Sequence, residues 1–198
     1  MKVAVITCSN RSASGERADD SGEILVELLT SAGHEIGKRR IVRDDVEQIR
    51  AAVGDAIADG ALVVLTTGGT GLTPTDVTPE AVRPLLEREV PGIAEALRLT
   101  ARDTVPTSIL SRGVAGTIGS ALVVTLPGSP GGVRDGMSVL APLLEHAVDQ
   151  IAGGDHVAGG VHAAGGSQVP GRAHVAGGDH VAGRVHAAGG EHRPGGGR

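Results

Sequence analysis

The chain has 198 residues and a formal net charge of −5, and none of its residues is Phe, Tyr or Trp although 40% are apolar. That length fits one domain with an appendage, and its core has to be packed from Val, Leu, Ile and Ala. Ring stacking on a nucleotide base is excluded, and an acidic, aromatic-free chain points to a small-molecule ligand rather than nucleic acid.

The first predicted element is Val3-Ala4-Val5-Ile6-Thr7, a short β-branched run ending near Cys8. The apolar stretch of MKVAVITCSN is too short for a signal peptide, and no apolar run approaches the roughly 18 residues of a membrane helix. With a single cysteine the sequence carries no disulfide framework and no CxxC metal knuckle. A reduced cytoplasmic compartment, with Cys8 as a buried inert thiol, is the expectation.

After Asp19-Asp20, the residues Ile24, Leu25, Leu28 and Leu29 recur at helical spacing and stop at Gly33. A weaker strand covers Glu35–Val42. Val46, Ile49, Val53 and Ile57 predict a second amphipathic helix ending at Gly60. Ala61–Leu65 is apolar throughout, as is Ala121–Leu126, and such runs suit parallel strands buried on both faces. Helices are predicted over Pro79–Glu87, Gly92–Arg102, Pro130–Leu140 and Pro142–Ile151. Repeated strand–helix units give an α/β fold, a three-layer α/β/α domain with a mostly parallel sheet over residues 1–152. Ligands of such sheets bind at the carboxyl ends of the strands.

From Gly153 the sequence changes to a six-residue period, GGDHVA, GGVHAA and so on to GGEHRP, with His156, His162, His174, His180, His186 and His192 at the same place in the unit. Fifteen of the 32 glycines lie in residues 153–198. A β-helix needs a stacked bulky aliphatic on each turn, which this column of Val and Ala does not offer, so a disordered low-complexity tail is expected. Its imidazoles suit Ni²⁺ or Zn²⁺, and a merely solubilising repeat is the competing reading.

Two glycine-rich loops follow buried strands: Thr66-Thr67-Gly68-Gly69-Thr70-Gly71 and Pro127-Gly128-Ser129-Pro130-Gly131-Gly132. Residues without Cβ let main-chain N–H groups approach an anion, and each loop leads to a helix start, Thr78-Pro79 or Ser129-Pro130. Neither loop is a Walker A motif or a dinucleotide fingerprint. Asp76 lies just before one helix start, and Asp44 and Asp45 follow the Glu35–Val42 strand. Carboxylates beside phosphate-cradling loops suit Mg²⁺. Asp45 reads better as the cap of the helix at Val46; by spacing alone Asp44 is either a merely exposed residue or, with Asp76, a ligand of that metal. Ser111 and Arg112 are candidates for a phosphate contact, or for a structural ion pair.

Thr66–Gly71, Asp76-Val77-Thr78-Pro79-Glu80-Ala81, Ile109-Leu110-Ser111-Arg112 and Leu126-Pro127-Gly128-Ser129-Pro130 together resemble the molybdopterin adenylyltransferase family. Cys8-Ser9-Asn10-Arg11 and Asp20-Ser21-Gly22 are similar to its N-terminal motifs, and the likeness runs in order over residues 1–152. The related gephyrin-like and molybdenumtransferase domains sit in much longer chains, which favours the adenylyltransferase. The resemblance implies a molybdopterin-binding domain, commonly trimeric, that turns molybdopterin and ATP into adenylyl-molybdopterin and pyrophosphate with Mg²⁺. It also implies a downstream molybdenum-inserting enzyme as partner. Asp76 and Asp44 match its catalytic aspartates, with Asp45 one position away from the second. Ser9, Arg11, Thr67, Gly68, Gly69, Thr70, Gly71, Ser111, Arg112, Pro127, Gly128 and Ser129 are implied as substrate or nucleotide contacts. Asn10 stands where the family often has aspartate, which leaves a non-catalytic pterin-binding scaffold as the alternative.

Overall fold

The computed structural model describes residues 1–154; residues 155–198, with the six repeat histidines, lie outside the described residues. Six strands form one sheet: β1 (Lys2–Cys8), β2 (Glu35–Val42), β3 (Val63–Thr67), β4 (Arg88–Glu89), β5 (Ala115–Ile118) and β6 (Ala121–Leu126). Their order is β2-β1-β3-β6-β5-β4. The first four run parallel, and β5 and β4 are added antiparallel at the far edge.

The helices are α1 (Asn10–Ala13), α2 (Asp20–Ser31), α3 (Val46–Ala58), α4 (Thr78–Val82), α5 (Pro91–Thr100), α6 (Pro130–Leu140) and α7 (Leu144–Ile151). Alternate residues of the strands feed two separate cores. Val3, Val5, Val63, Leu65, Leu122 and Val124 pack with Leu25 and Leu29 of α2 and with Val133, Met137 and Leu140 of α6. Ala4, Ile6, Val64 and Val123 pack on the other face with Ile49, Ala52 and Val53 of α3 and with Ala81 and Val82 of α4. The mostly parallel sheet is thus the middle of three layers, as the uninterrupted apolar runs require. Truncating Leu65, which is fully buried, to Ala removes on the order of 2–5 kcal/mol.

Five elements differ from the sequence expectation. The third strand runs Val63–Thr67, two residues later than the apolar run, because Thr66 and Thr67 find ladder partners on both sides in β1 and β6. The helix expected to Glu87 ends at Val82, with a 3-10 turn over Arg83–Leu85, because Pro84 has no N–H to continue it. The chain then turns out to the short edge strand β4, and β5 was not anticipated either. The last helix begins at Leu144 rather than Pro142. Among the described residues no helix is long and apolar enough to cross a membrane.

Candidate functional site

From β1 the chain passes to β2 on one side and then to β3 on the other, so the two outward paths diverge between β1 and β3. A parallel sheet leaves a crevice beyond the carboxyl ends of the strands at such a switch. A cleft of about 450 Å³ lies there, lined by Thr7, Cys8 and Ser9 from the end of β1, by Thr67, Gly68 and Gly69 from the end of β3, and by Asn10, Asp44, Asp76 and Gly128.

The floor requires glycine. Gly68 and Gly69 have φ of +96° and +62°, which β-carbon-bearing residues rarely adopt. A methyl group on Gly68 would collide with the Cys8 carbonyl, and one on Gly69 with Thr78 Oγ1. The turn is tied from outside as well. Thr78 Oγ1 donates to the Gly68 carbonyl at 2.9 Å and Thr78 N–H to the Gly69 carbonyl at 3.1 Å. Thr78 is therefore the first residue of α4 rather than its cap, because its hydroxyl is committed to the turn. Gly68 N–H donates to the Leu126 carbonyl at 3.1 Å, so it braces the floor instead of facing an anion.

The two glycine loops meet. Thr67 Oγ1 donates to the Pro127 carbonyl at 2.7 Å, and a methyl on Gly128 would stand 3.0 Å from Gly68 Cα. Ser129 caps α6, accepting from Gly132 N–H at 3.1 Å, as its sequence position before Pro130 predicts.

The adjacent aspartates separate cleanly. Asp45 caps α3, accepting from Gln48 N–H at 2.9 Å. Asp44 faces the cleft, where its Oδ2 accepts from Asn10 N–H at 2.8 Å while Asn10 Oδ1 accepts from Asp44 N–H at 3.2 Å. Asp76 is held by Thr73, whose N–H and hydroxyl both reach its Oδ2, at 2.8 and 2.7 Å. Each of these carboxylates is half-buried and keeps its other oxygen out of the hydrogen bonds described. Neither forms an ion pair with an arginine or lysine among the described residues. Two hard oxygen donors of this kind fit Mg²⁺, which is commonly held by one or two carboxylates with phosphates and waters completing the shell. No group of three or more His, Cys, Asp or Glu side chains among the described residues could cage a metal unaided.

Asp76 also lines a second cleft of about 570 Å³ with Gly69, Thr70, Gly71, Ser111, Pro127, Gly128 and Ser129. The opposite wall is aliphatic, with Leu97, Ala101, Val105 and Leu110. In a chain without aromatic rings, an aliphatic wall of this kind is the apolar surface the fold offers to a flat ligand. Ser111 Oγ donates to Thr70 Oγ1 at 3.4 Å. The glycine turn and Asp76 are thus the ridge between a polar cleft and a more apolar one.

Arg112 is not brought to either cleft. Its Nε donates to the Gly71 carbonyl at 2.7 Å and its Nη2 to the Asp76 carbonyl at 2.6 Å, while Nη1 pairs with Glu80. Desolvation pushes the Glu80 carboxyl up, but the Arg112 hydrogen bond and charge outweigh it and hold the group below its ordinary value. Cys8 is 2% exposed, and burial pushes its thiol up to about 12, which keeps it protonated and poorly nucleophilic.

Three features of the site escape the sequence reading. Arg17 lines the polar cleft beside Arg11. Asp19, 7% exposed, caps α2 and gathers Thr7 Oγ1 at 2.9 Å, Gly22 N–H at 3.0 Å and Arg39 Nη2 at 3.1 Å, which fixes the end of β1 against the start of α2. Asp135 of α6 reaches the apolar cleft. The Asp19 cap alone had a local signal, an acidic pair opening a helical pattern.

Residues 4–146 match the family described as a probable molybdopterin binding domain. Over 154 residues the chain is 41% identical to the molybdenum cofactor biosynthesis bifunctional protein of Synechococcus elongatus, covering 78% of this chain but 48% of that longer protein. It is 37% identical over 155 residues to the molybdopterin adenylyltransferase of Pyrococcus furiosus, covering 74% of this chain and 90% of the relative. The crystal structure of a molybdopterin biosynthesis protein from Mycobacterium abscessus superposes with a TM-score of 0.73 at 43% identity, over 77% of this chain and 96% of that one.

Proposed function

This chain belongs to the molybdopterin-binding domain family, and we propose that it acts in molybdenum cofactor biosynthesis by transferring the adenylyl group of ATP to molybdopterin. The observation that carries the reading is that Asp44 and Asp76, distant in sequence, line one cleft floored by the Thr67-Gly68-Gly69 turn at a strand switch point.

The terminal phosphate of molybdopterin attacks the α-phosphorus of ATP. A new P–O bond forms to that phosphate, the bond from the α-phosphorus to the bridging oxygen breaks, and pyrophosphate leaves. The attacking phosphate is largely ionised at neutral pH, so no general base is required. Asp44 and Asp76 would hold Mg²⁺, which neutralises charge on the transferring group when bound. Thr67, Gly69, Ser9 and Gly128 shape the walls that orient the phosphates, and fixed dipoles of this kind need no reorganisation during the reaction. The aliphatic wall around Leu97 and Leu110 gives a ring a dry surface. Assembly as a homotrimer and transfer of the product to a molybdenum-inserting enzyme belong to the same reading.

The test is incubation of the protein with molybdopterin, ATP and Mg²⁺, with release of pyrophosphate as the readout. Asp76→Ala is expected to abolish turnover while the fold and pterin binding persist. Pterin binding without pyrophosphate from the unaltered protein would replace this reading by that of a scaffold.

A further inference from the structure

Four charged side chains line the polar cleft, two of each sign: Asp44, Asp76, Arg11 and Arg17. Unlike charges in one cavity normally pair, because each then offsets the other's desolvation. Here they do not. The carboxylates are held by Asn10 and Thr73, and among the described residues neither guanidinium has a carboxylate or carbonyl partner. Elsewhere among the described residues Arg39, Arg40, Arg50, Arg83, Arg102 and Arg112 are in ion pairs and Arg88 and Arg98 donate hydrogen bonds, while Arg43 and Arg134, which have no such partner, lie outside this cleft. The cleft thus presents unspent charge of both signs, complementary to a ligand that itself carries both, as a metal–polyphosphate does.

The main chain places the two arginines together. The Arg11 carbonyl accepts from Glu16 N–H at 3.0 Å and from Arg17 N–H at 3.2 Å, so the loop after α1 closes on itself and returns Arg17 to the rim that Arg11 occupies. Both arginines are exposed and both aspartates are half-buried in the lining of the one cleft. A guanidinium so placed suits a mobile, highly charged phosphate, since its planar fork of donors grips two oxygens and it is more weakly hydrated than an ammonium.

We propose that Arg17, with Arg11, binds the two outer phosphates of the nucleotide and retains the departing pyrophosphate. The inference rests on the adenylyl-transfer reading and extends it to the leaving group. With the α-phosphate over the glycine floor between Asp44 and Asp76, the outer phosphates extend toward the rim where the arginines stand. As pyrophosphate gains charge on departure, the interaction strengthens along the reaction, which is the condition for a contact to speed the step. A monophosphate nucleotide lacks these groups and makes no use of Arg17.

The test is isothermal titration of inorganic pyrophosphate, with Mg²⁺, into the full chain and into Arg17→Ala, Arg17→Lys and Arg11→Ala/Arg17→Ala. Removal of one charge-assisted contact is expected to weaken pyrophosphate binding by about tenfold or more, Lys to recover part of it, and the double variant to bind least. AMP affinity is expected to change by less than about twofold in Arg17→Ala, and the salt dependence of pyrophosphate binding to flatten as charges are removed. An unchanged pyrophosphate affinity in Arg17→Ala, or no pyrophosphate binding by the unaltered chain, overturns the proposal. Arginine-dependent pyrophosphate binding without molybdopterin adenylylation would leave the anion site standing and sink the adenylyl-transfer reading alone.

Discussion

Arg112 holds Asp76 by the main chain rather than by its carboxylate: Nη2 donates to the Asp76 carbonyl at 2.6 Å. The same guanidinium holds the Gly71 carbonyl at 2.7 Å, and its own N–H holds the Thr70 carbonyl at 2.8 Å. Both ends of the exposed loop 72–75 are therefore fastened to one residue, and that loop supplies the Thr73 groups that orient the Asp76 carboxylate. Arg112→Lys keeps the charge but cannot span the two carbonyls. A misplacement of about 1 Å at a reacting centre can cost on the order of 100-fold in rate. The variant is expected to lose about that much kcat with a melting temperature within a few degrees of the original. Amide exchange across 70–80 is expected to quicken, and an unchanged exchange rate would show that the clamp sets nothing.

The glycine turn and a helical glycine are expected to respond oppositely to one methyl group. Gly69→Ala puts a Cβ at φ +62° against Thr78 Oγ1 and 3.2 Å from Asp44 Oδ1, so strain and collision add. A loss of about 1–3 kcal/mol follows, with activity falling further because the carboxylate is displaced. Gly54 sits inside α3, where a Cβ would meet nothing within 4 Å. Gly54→Ala is expected to stabilise by roughly 0.5–1 kcal/mol. Chemical denaturation of the two variants side by side checks the sign of each.

Period and burial made most of the sheet legible, because strands such as Ala121–Leu126 lie between two helical layers and need apolar residues at every position. Glu35–Val42 was readable between two helix signals. The edge strands were not. Arg88–Glu89 is two residues long, and Ala115-Gly116-Thr117-Ile118 carries no alternation, so only pairing defines them. In the site, residue types revealed the glycine turns and the aspartates, since that chemistry is local. For Arg112 the structural ion pair was one of the two readings and is formed with Glu80, but its other acceptors are main-chain carbonyls 36 and 41 positions away that no side-chain pattern announces. Arg17 was missed for a related reason: it reaches the cleft through a loop closure made by main-chain groups.

Cys8 lines the wall of the polar cleft, yet it is a thiol that chemistry at neutral pH should not find. Burial is the main force raising it to about 12, and the Asp44 charge adds to this against a hydrogen bond with Thr78. A group so raised stays protonated through the physiological range, and only the thiolate is nucleophilic. Native protein is expected to resist iodoacetamide at pH 8 and to take up one equivalent once unfolded, since Cys8 is the only cysteine. Mass spectrometry of the two samples decides this, and rapid native labelling would show that the wall opens.

Neighbouring carboxylates with different duties allow a double dissociation. Asp45 accepts from Gln48 N–H at 2.9 Å as the cap of α3, away from the cleft lining. Asp45→Ala is expected to cost about 1 kcal/mol of stability while leaving kcat/KM nearly unchanged, and Asp45→Asn to be almost silent because Asn caps as well. Asp44 keeps one oxygen on Asn10 N–H at 2.8 Å and gives the cleft a negative charge. Asp44→Asn retains a carbonyl oxygen for that bond and removes only the charge. Its melting curve should therefore overlay that of the unaltered protein, while pyrophosphate release with Mg²⁺ falls by about 100-fold or more, as expected for loss of a group that stabilises developing charge. Equal activity in Asp44→Asn and Asp45→Asn would mean that the half-buried carboxylate, for all its position, takes no part in holding the metal.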